Sequence, residues 1–284
     1  MDQTNIGMEI QGDHQILSKN LGPDAKKALV ADWFGRAAAV YFSPFFSYPG
    51  QRLVEFAKIQ PGVQILDVCT GTGAVLLPAA QAVGVDGHVT GVDFADEMVK
   101  ASSNNIVRRD VLNADVRKMD AETLEFPDES FDCVLCGFGL GYITNIQRVL
   151  EEIQRVLKPG CTLALSTWGE EKELANLYRK LEVEFGIVQP DLESHHLGTV
   201  DALEQLLDSS GFSNTVVTKE TVKVIFDNKQ EYWAQRMPIE QVALEDLDPA
   251  GSSFRRAVYD VLEDYLYIDG VHEVRTVLYA VATT

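Results

Sequence analysis

The sequence predicts an α/β fold: a Rossmann-like sheet of seven strands, mostly parallel with an antiparallel last strand, helices on both faces, and a helical, aromatic lid. Three observations predict it. Short apolar runs alternate with helical periods between about residues 64 and 168, the pattern of a parallel sheet covered on both sides. The run Val63-Gln-Ile-Leu-Asp-Val-Cys69 passes directly into Thr70-Gly-Thr-Gly73, a strand ending in a glycine turn that opens a helix. Asp67, Asp93, Asp120 and Gly137 stand at or near the ends of successive strands, where open parallel sheets bind ligands.

Each element has its own justification. Strand 64–69 leads to a helix over 73–83, with Leu76, Leu77, Ala79, Ala80 and Val83 apolar and Gly84 as its stop. Strand 88–93, helix 95–109, strand 114–119 and strand 131–136 follow. A helix over 145–157 places Ile146, Val149, Leu150, Ile153, Val156 and Leu157 on one face, and Pro159-Gly160 ends it. Strand 161–168 completes the parallel set. Beyond it the pattern gives helix 170–185, a helix from Thr199 stopped at Gly211, strand 216–226, helix 252–267 and a last alternating strand, 271–282. The chain therefore divides into a flexible polar arm (1–22), a helical cap segment (23–57) rich in Trp33, Phe34, Tyr41, Phe42, Phe45, Phe46 and Tyr48, and a core (58–284) with a lid insertion at about 227–270.

Composition narrows the function. The 284 residues carry a net charge of −19, which disfavours nucleic acid and anionic membrane surfaces as partners. No run is long and apolar enough to span a bilayer, and the first thirty residues contain no signal-peptide core, so a cytoplasmic location is expected. The four cysteines are Cys69, Cys133, Cys136 and Cys161. Cys133 and Cys136 are three apart on a strand and so face opposite sides, which argues against a metal or redox pair and for buried small hydrophobes in a reduced protein. No metal site is expected.

The glycine turn identifies the ligand by what it excludes. A dinucleotide enzyme wants G-x-G-x-x-G, and counting from Gly71 the third glycine falls on Leu76. Asp67 would also repel a pyrophosphate, which speaks against a nicotinamide-dependent oxidoreductase. A carboxylate there suits a ligand with an ammonium group, a description that fits S-adenosylmethionine. Asp93, taken alone, reads equally as a ribose ligand and as a cap for the helix after Ala95.

With these motifs in place the chain resembles the class I S-adenosylmethionine-dependent methyltransferases over about residues 50–170. Leu66-Asp-Val-Cys-Thr-Gly-Thr-Gly73 is similar to their first motif, with Cys69 where the family often has Gly or Ala. Asp93 matches the acid that binds both ribose hydroxyls, and Phe94 the residue against the adenine. Met119-Asp-Ala-Glu122 matches the segment that holds the adenine amino group, Phe126–Gly141 the fourth-strand motif, and Leu157–Leu165 the turn into the fifth strand. Gly137-Phe-Gly-Leu140 especially resembles the ubiquinone/menaquinone-biosynthesis group. The resemblance implies S-adenosylmethionine as cofactor, held by Asp67, Cys69, Gly71, Gly73, Asp93, Phe94, Met98, Asp120, Ala121 and Gly137. It implies methyl transfer to O or C of a hydrophobic, ring-bearing small molecule. The alternative is a cofactor-retaining cyclase or binding protein of the same fold.

Methyl transfer from a sulfonium needs positioning and exclusion of water more than acid–base chemistry. Tyr41, Phe45 and Tyr48 are expected nearest the substrate, with Tyr41 and Tyr48 as hydrogen-bonding groups. If a base is needed, His195 or His196, in the loop between core and lid, is the candidate. The sequence leaves the oligomeric state open.

Overall fold

The computed structural model describes residues 22–38, 44–170, 173–185, 197–236 and 252–284. Two helices come first, α1 (Pro23–Ala37) and α2 (Pro44–Ala57). The core then alternates: β1 (Gln64–Val68), α3 (Leu76–Val83), β2 (His88–Asp93), α4 (Asp96–Arg108), β3 (Ala114–Lys118), β4 (Phe131–Gly137), α5 (Ile146–Val156) and β5 (Leu157–Trp168). After it come α6 (Glu173–Glu184), α7 (Val200–Ser209), β6 (Ser213–Phe226), α8 (Lys229–Arg236), α9 (Ser252–Val261), β7 (Leu266–Tyr267) and β8 (Gly270–Thr283).

The strands form one sheet in the order β3-β2-β1-β4-β5-β8-β6, with β7 paired to β8. The first five are parallel, and β8 runs antiparallel to both β5 and β6. The connection after β3 returns to the far side of β1, so the crossovers reverse between β1 and β4. That reversal opens a crevice beyond the carboxyl ends of the strands.

Two details depart from the sequence reading. The segment expected as one helix over 252–267 is α9, a 3-10 turn (Leu262–Tyr265) and the short strand β7, because its end pairs with the start of β8. The sheet therefore has eight strands rather than seven. Strand β5 also begins at Leu157, where α5 stops and Leu157 aligns with Phe131.

Strand alternation sorts the core into two layers. Leu66, Val68, Val134 and Cys136 face α5 and α7, meeting Leu150, Ile153, Leu203 and Leu207. Ile65, Cys133 and Leu135 face the other way, onto Leu53 of α2 and Leu76, Ala79 and Val83 of α3. Cys133 and Cys136 thus lie on opposite faces, and all four cysteines are free. A third cluster joins α6, α8 and α9 to the end of the β6–β8 pair through Tyr178, Phe226, Tyr232, Trp233, Phe254 and Val271. Side-chain caps fix two helix starts: Asn145 accepts the Arg148 N–H and Thr199 the Ala202 N–H. Among the described residues no helix is long and apolar enough to cross a membrane.

The fully buried Leu150 belongs to the layer that carries the β4 end of the crevice. Leu150→Ala should lower the unfolding free energy by about 2–5 kcal/mol in urea melts. Val107→Ala, at a site 76% exposed, should change it by no more than about 0.5 kcal/mol.

Candidate functional site

The turn after β1 builds the site. Cys69, Gly71 and Gly73 all have positive φ, at 57°, 55° and 93°. The chain reverses tightly there because two of the three positions lack a Cβ. The turn is pinned from several sides: Thr70 N–H donates to Val92 O (2.9 Å), Gly73 N–H to Thr70 O (2.9 Å), and the Asn105 amide to Thr72 O (2.9 Å). Gly50 of α2 packs so closely that a Cβ there would lie 2.2 Å from Ala74 O. The cap helix is thereby pressed against the start of the following helix.

Two carboxylates meet at this turn. Asp67 is fully buried; its Oδ2 accepts the Thr70 hydroxyl at 2.6 Å, while Oδ1 has no hydrogen-bond partner among the described residues. Burial raises its pKa to about 7, the Thr70 bond pulls it back, the Asp93 charge adds to the rise, and the Leu76 amide, outside hydrogen-bonding geometry for Oδ1, also opposes it. Asp93, at the tip of β2, accepts the Gly71 N–H (2.8 Å) and the Ala95 N–H (3.0 Å) on separate oxygens. Burial raises its pKa as well, against the Ala95, Gly71 and Phe94 amides. Asp93 therefore ties the glycine turn to the start of α4 while keeping further lone pairs toward the crevice.

The crevice is a cleft that opens to solvent, with about 1120 Å³ of empty space when the solvent at its mouth is included. Of the ten residues expected to hold a cofactor, Asp67, Cys69, Gly71, Asp93, Phe94, Met98, Asp120, Ala121 and Gly137 line it. Gly73 does not; it stands behind the turn, where a Cβ would come 3.0 Å from the Ser102 hydroxyl. The wall beyond Gly137 is aromatic. Phe46 of α2 meets Phe138 edge-on at 5.8 Å, Phe138 stacks on Trp168 at 4.1 Å, and Phe34 of α1 meets Tyr142 edge-on at 4.7 Å. Phe138 has φ of 61°, a strained conformation for an aromatic residue, held by its N–H bond to Ser166 O and by the Trp168 stack.

The substrate-side expectations meet the structure less fully. Tyr48 is 50% exposed and does not line the cleft. The helical period of α2 turns Phe46 and Gly50 inward and carries Tyr48, two residues from each, to the other side. Tyr41, His195 and His196 lie outside the described residues, as does the Phe45 side chain. Lys27 is a site residue that the sequence reading missed. Its Nζ lies 2.7 Å from both Asp120 Oδ2 and Glu122 Oε2. Burial would lower its pKa, but the bonds to the two carboxylates raise it overall. Glu122 Oε1 also accepts the Thr144 hydroxyl and the Asn145 N–H, so one acid joins the cap, the β3–β4 loop and the start of α5. Nothing in the local pattern marks Lys27, because its partners are far along the chain.

Residues 65–160 match the family model described as a methyltransferase domain. Over 114 residues the chain is 40% identical to the demethylmenaquinone methyltransferase of Listeria monocytogenes, a match covering 40% of this chain and 48% of that protein. Over 111 residues it is 41% identical to the protein of the same name from Geobacillus stearothermophilus, covering 39% and 47%. The chain thus spans about half the length of the curated relatives it matches. In fold it is similar to the YcgJ protein from Bacillus subtilis, with a TM-score of 0.56 and 17% identity over 84% of this chain and 98% of that one. It is similar also to the [4+2]-cyclase SpnF, at 0.53 and 22% over 82% and 81%.

Asp67 generates a stability prediction for the ligand-free protein. Its folded pKa of about 7 lies above the ordinary 3.8. The native state therefore binds the extra proton between these values, and its stability falls as pH rises through them. Asp67→Asn removes the ionisable group. Without ligand it should match the parent near pH ~4 and exceed it near pH ~8, on the order of a few kcal/mol, in melts run across that range.

Proposed function

We propose that this chain, whose residues 65–160 match a family model described as a methyltransferase domain, is of the class I S-adenosylmethionine-dependent kind and transfers a methyl group to O or C of a hydrophobic, ring-bearing small molecule. The observation that carries the reading is the buried Asp67 carboxylate with one oxygen unpartnered. A buried acceptor without a donor is costly, and an ammonium group supplies both the donor and the opposite charge. The donor set fits the rest of the cofactor. Asp93 offers lone pairs to a vicinal diol, Phe94 and Met98 offer apolar surface to a purine, and Asp120 and Ala121 close the far end.

S-adenosylmethionine supplies an already activated methyl on a sulfonium sulfur. The chain is left to orient the acceptor and exclude water, a contribution of roughly 7–11 kcal/mol in well-placed systems. Phe34, Phe46, Phe138 and Tyr142 form the apolar wall that does so. The name shared by the curated relatives points to a demethylated quinone ring as the acceptor class. Where an acceptor hydroxyl must lose a proton, His195 or His196 is the proposed base, and Tyr41 the proposed positioning group.

Calorimetry with S-adenosylhomocysteine tests the cofactor. The parent should bind, and Asp67→Asn and Asp93→Asn should each weaken binding about 10- to 100-fold, as loss of a charge-assisted bond does. Absence of binding by the parent would overturn the reading. Incubation with S-adenosylmethionine and a demethylmenaquinol should add one methyl group by mass. Binding without any transfer would leave only the cofactor-holding alternative.

The Asp67 pKa adds a pH signature. An ammonium ligand pairs with the ionised carboxylate, so association below pH about 7 must release a proton. Affinity should then fall about tenfold per pH unit below that value and level off above it. Isotherms in buffers of different ionisation enthalpy read the released proton directly.

A further inference from the structure

Two cysteines that the transfer chemistry does not use meet at the floor of the cleft. Cys69 lies in the turn after β1 and Cys136 near the end of β4, adjacent strands aligned through Asp67 and Leu135. In regular strands these diagonal neighbours point to opposite faces. The positive φ of Cys69 breaks that alternation and brings its side chain round to Cys136. The point a Cβ on Gly139 would occupy is 3.0 Å from Cys69 Sγ and 3.2 Å from Cys136 Sγ, so both sulfurs border one spot. Neighbouring strands stand about 4.8 Å apart, and a disulfide asks for Cα atoms about 4.4–6.8 Å apart. Access is one-sided: Cys69 lines the cleft, whereas Cys136 is fully buried.

We propose that Cys69 and Cys136 are a thiol pair that a hydroperoxide entering the cleft converts to a reversible disulfide, closing the site to its ligand. In the first step Cys69 sulfur attacks the peroxide. An S–O bond forms, the O–O bond breaks, and the peroxide leaves as an alcohol, or as water from hydrogen peroxide. In the second, Cys136 sulfur attacks the sulfenic acid; the S–S bond forms and the hydroxyl leaves as water. The two thiols lose two electrons and two protons in all, and the peroxide is reduced. The neighbouring Cys136 thiol, burial and the nearby Asp93 and Asp67 carboxylates hold the Cys69 thiol protonated well beyond the usual range. Attack is therefore slow, and the pair answers sustained oxidant rather than traces. Closing a sulfur–sulfur bond shifts the turn that presents Gly71 to Asp93. Only this consequence for the ligand rests on the cofactor reading above. Cys133 lies on the opposite face of the sheet, and neither it nor Cys161 lines the cleft.

The test treats the whole chain with hydrogen peroxide, alkylates the remaining thiols and maps peptides by mass. The expected product is a Cys69–Cys136 linked peptide lighter by two hydrogens, reversed by dithiothreitol and slowed by prior S-adenosylhomocysteine. Calorimetry of the oxidised protein should show loss of S-adenosylhomocysteine binding, regained on reduction. Cys136→Ala should give no linked peptide and a gain of oxygen at Cys69 instead. Full alkylation of both residues after peroxide, or linkage to Cys133 or Cys161, would overturn the pair. A linked peptide with binding intact would overturn the closure. If S-adenosylhomocysteine binds neither form, the cofactor reading fails while the disulfide is still judged by the peptide alone.

Discussion

A buried carboxylate that the fold does not fully satisfy is the constraint around which this protein is organised. Asp67 sits between Leu66 and Val68, both fully buried, on the strand with neighbours on both sides. Its side chain is fully buried, and the cleft it lines is the side from which a donor can reach it. Thr70 meets one of its oxygens, and the same residue, through its amide, holds the turn to Val92 at the tip of β2. The next amide, that of Gly71, is committed to Asp93. Three consecutive residues, Thr70 to Thr72, thereby fix the spacing of two acids on two strands. The strained positions Cys69 and Phe138 flank the same opening, as expected where surrounding structure enforces a conformation for a purpose other than stability.

Charge selects the ligand as much as shape does. Asp67, Asp93, Asp120 and Glu122 all line the cleft, and among the described lining residues Lys27 is the sole cation. Lys27 is spent on the acids at one end, where it also holds α1 over the opening. At the other end Asp67 and Asp93 have no cation beside them among the described lining residues. A phosphate-bearing cofactor would meet uncompensated repulsion there, whereas a ligand with an ammonium and a sulfonium gains at the position where the carboxylate pays most for burial.

The cofactor half was legible because its determinants are local. Glycines at 71 and 73, an acid ahead of them and another at the next strand end are chain neighbours or are linked by one strand–helix repeat. Even the departure at Cys69 has a local cause: its left-handed backbone explains why a small or absent side chain is usual at that position of the motif. What escaped notice depends on distant partners. Lys27 reaches Asp120, 93 residues away, and Arg155 holds the β3–β4 loop through Leu124 O and Phe126 O. Cys136 was read against its strand neighbour Cys133, not against Cys69. Tyr48 failed for a different reason: an aromatic-rich helix shows that one face is buried without saying which ring turns to a ligand, and α2 gives that place to Phe46.

The two halves of the chain contribute differently. The family-model match covers residues 65–160, and the elements within it supply Asp67, Asp93, Asp120, Glu122 and the glycine turn. Of the described parts outside it, α1 brings Lys27 to Asp120 and Glu122, and the end of the β6–β8 pair lies beside the aromatic wall. Strand β8 is antiparallel to β5, and Trp168, the last residue of β5, pairs with Val277. Residues 270–276 therefore overhang the same end of the sheet as the cleft. Arg275 lies over the Trp168 ring at 5.3 Å and pairs with Glu273, and Trp168 also stacks on Phe138 of the cleft wall. The third hydrophobic cluster, built by α6, α8 and α9, is anchored on Phe226 and Val271 at that overhanging end.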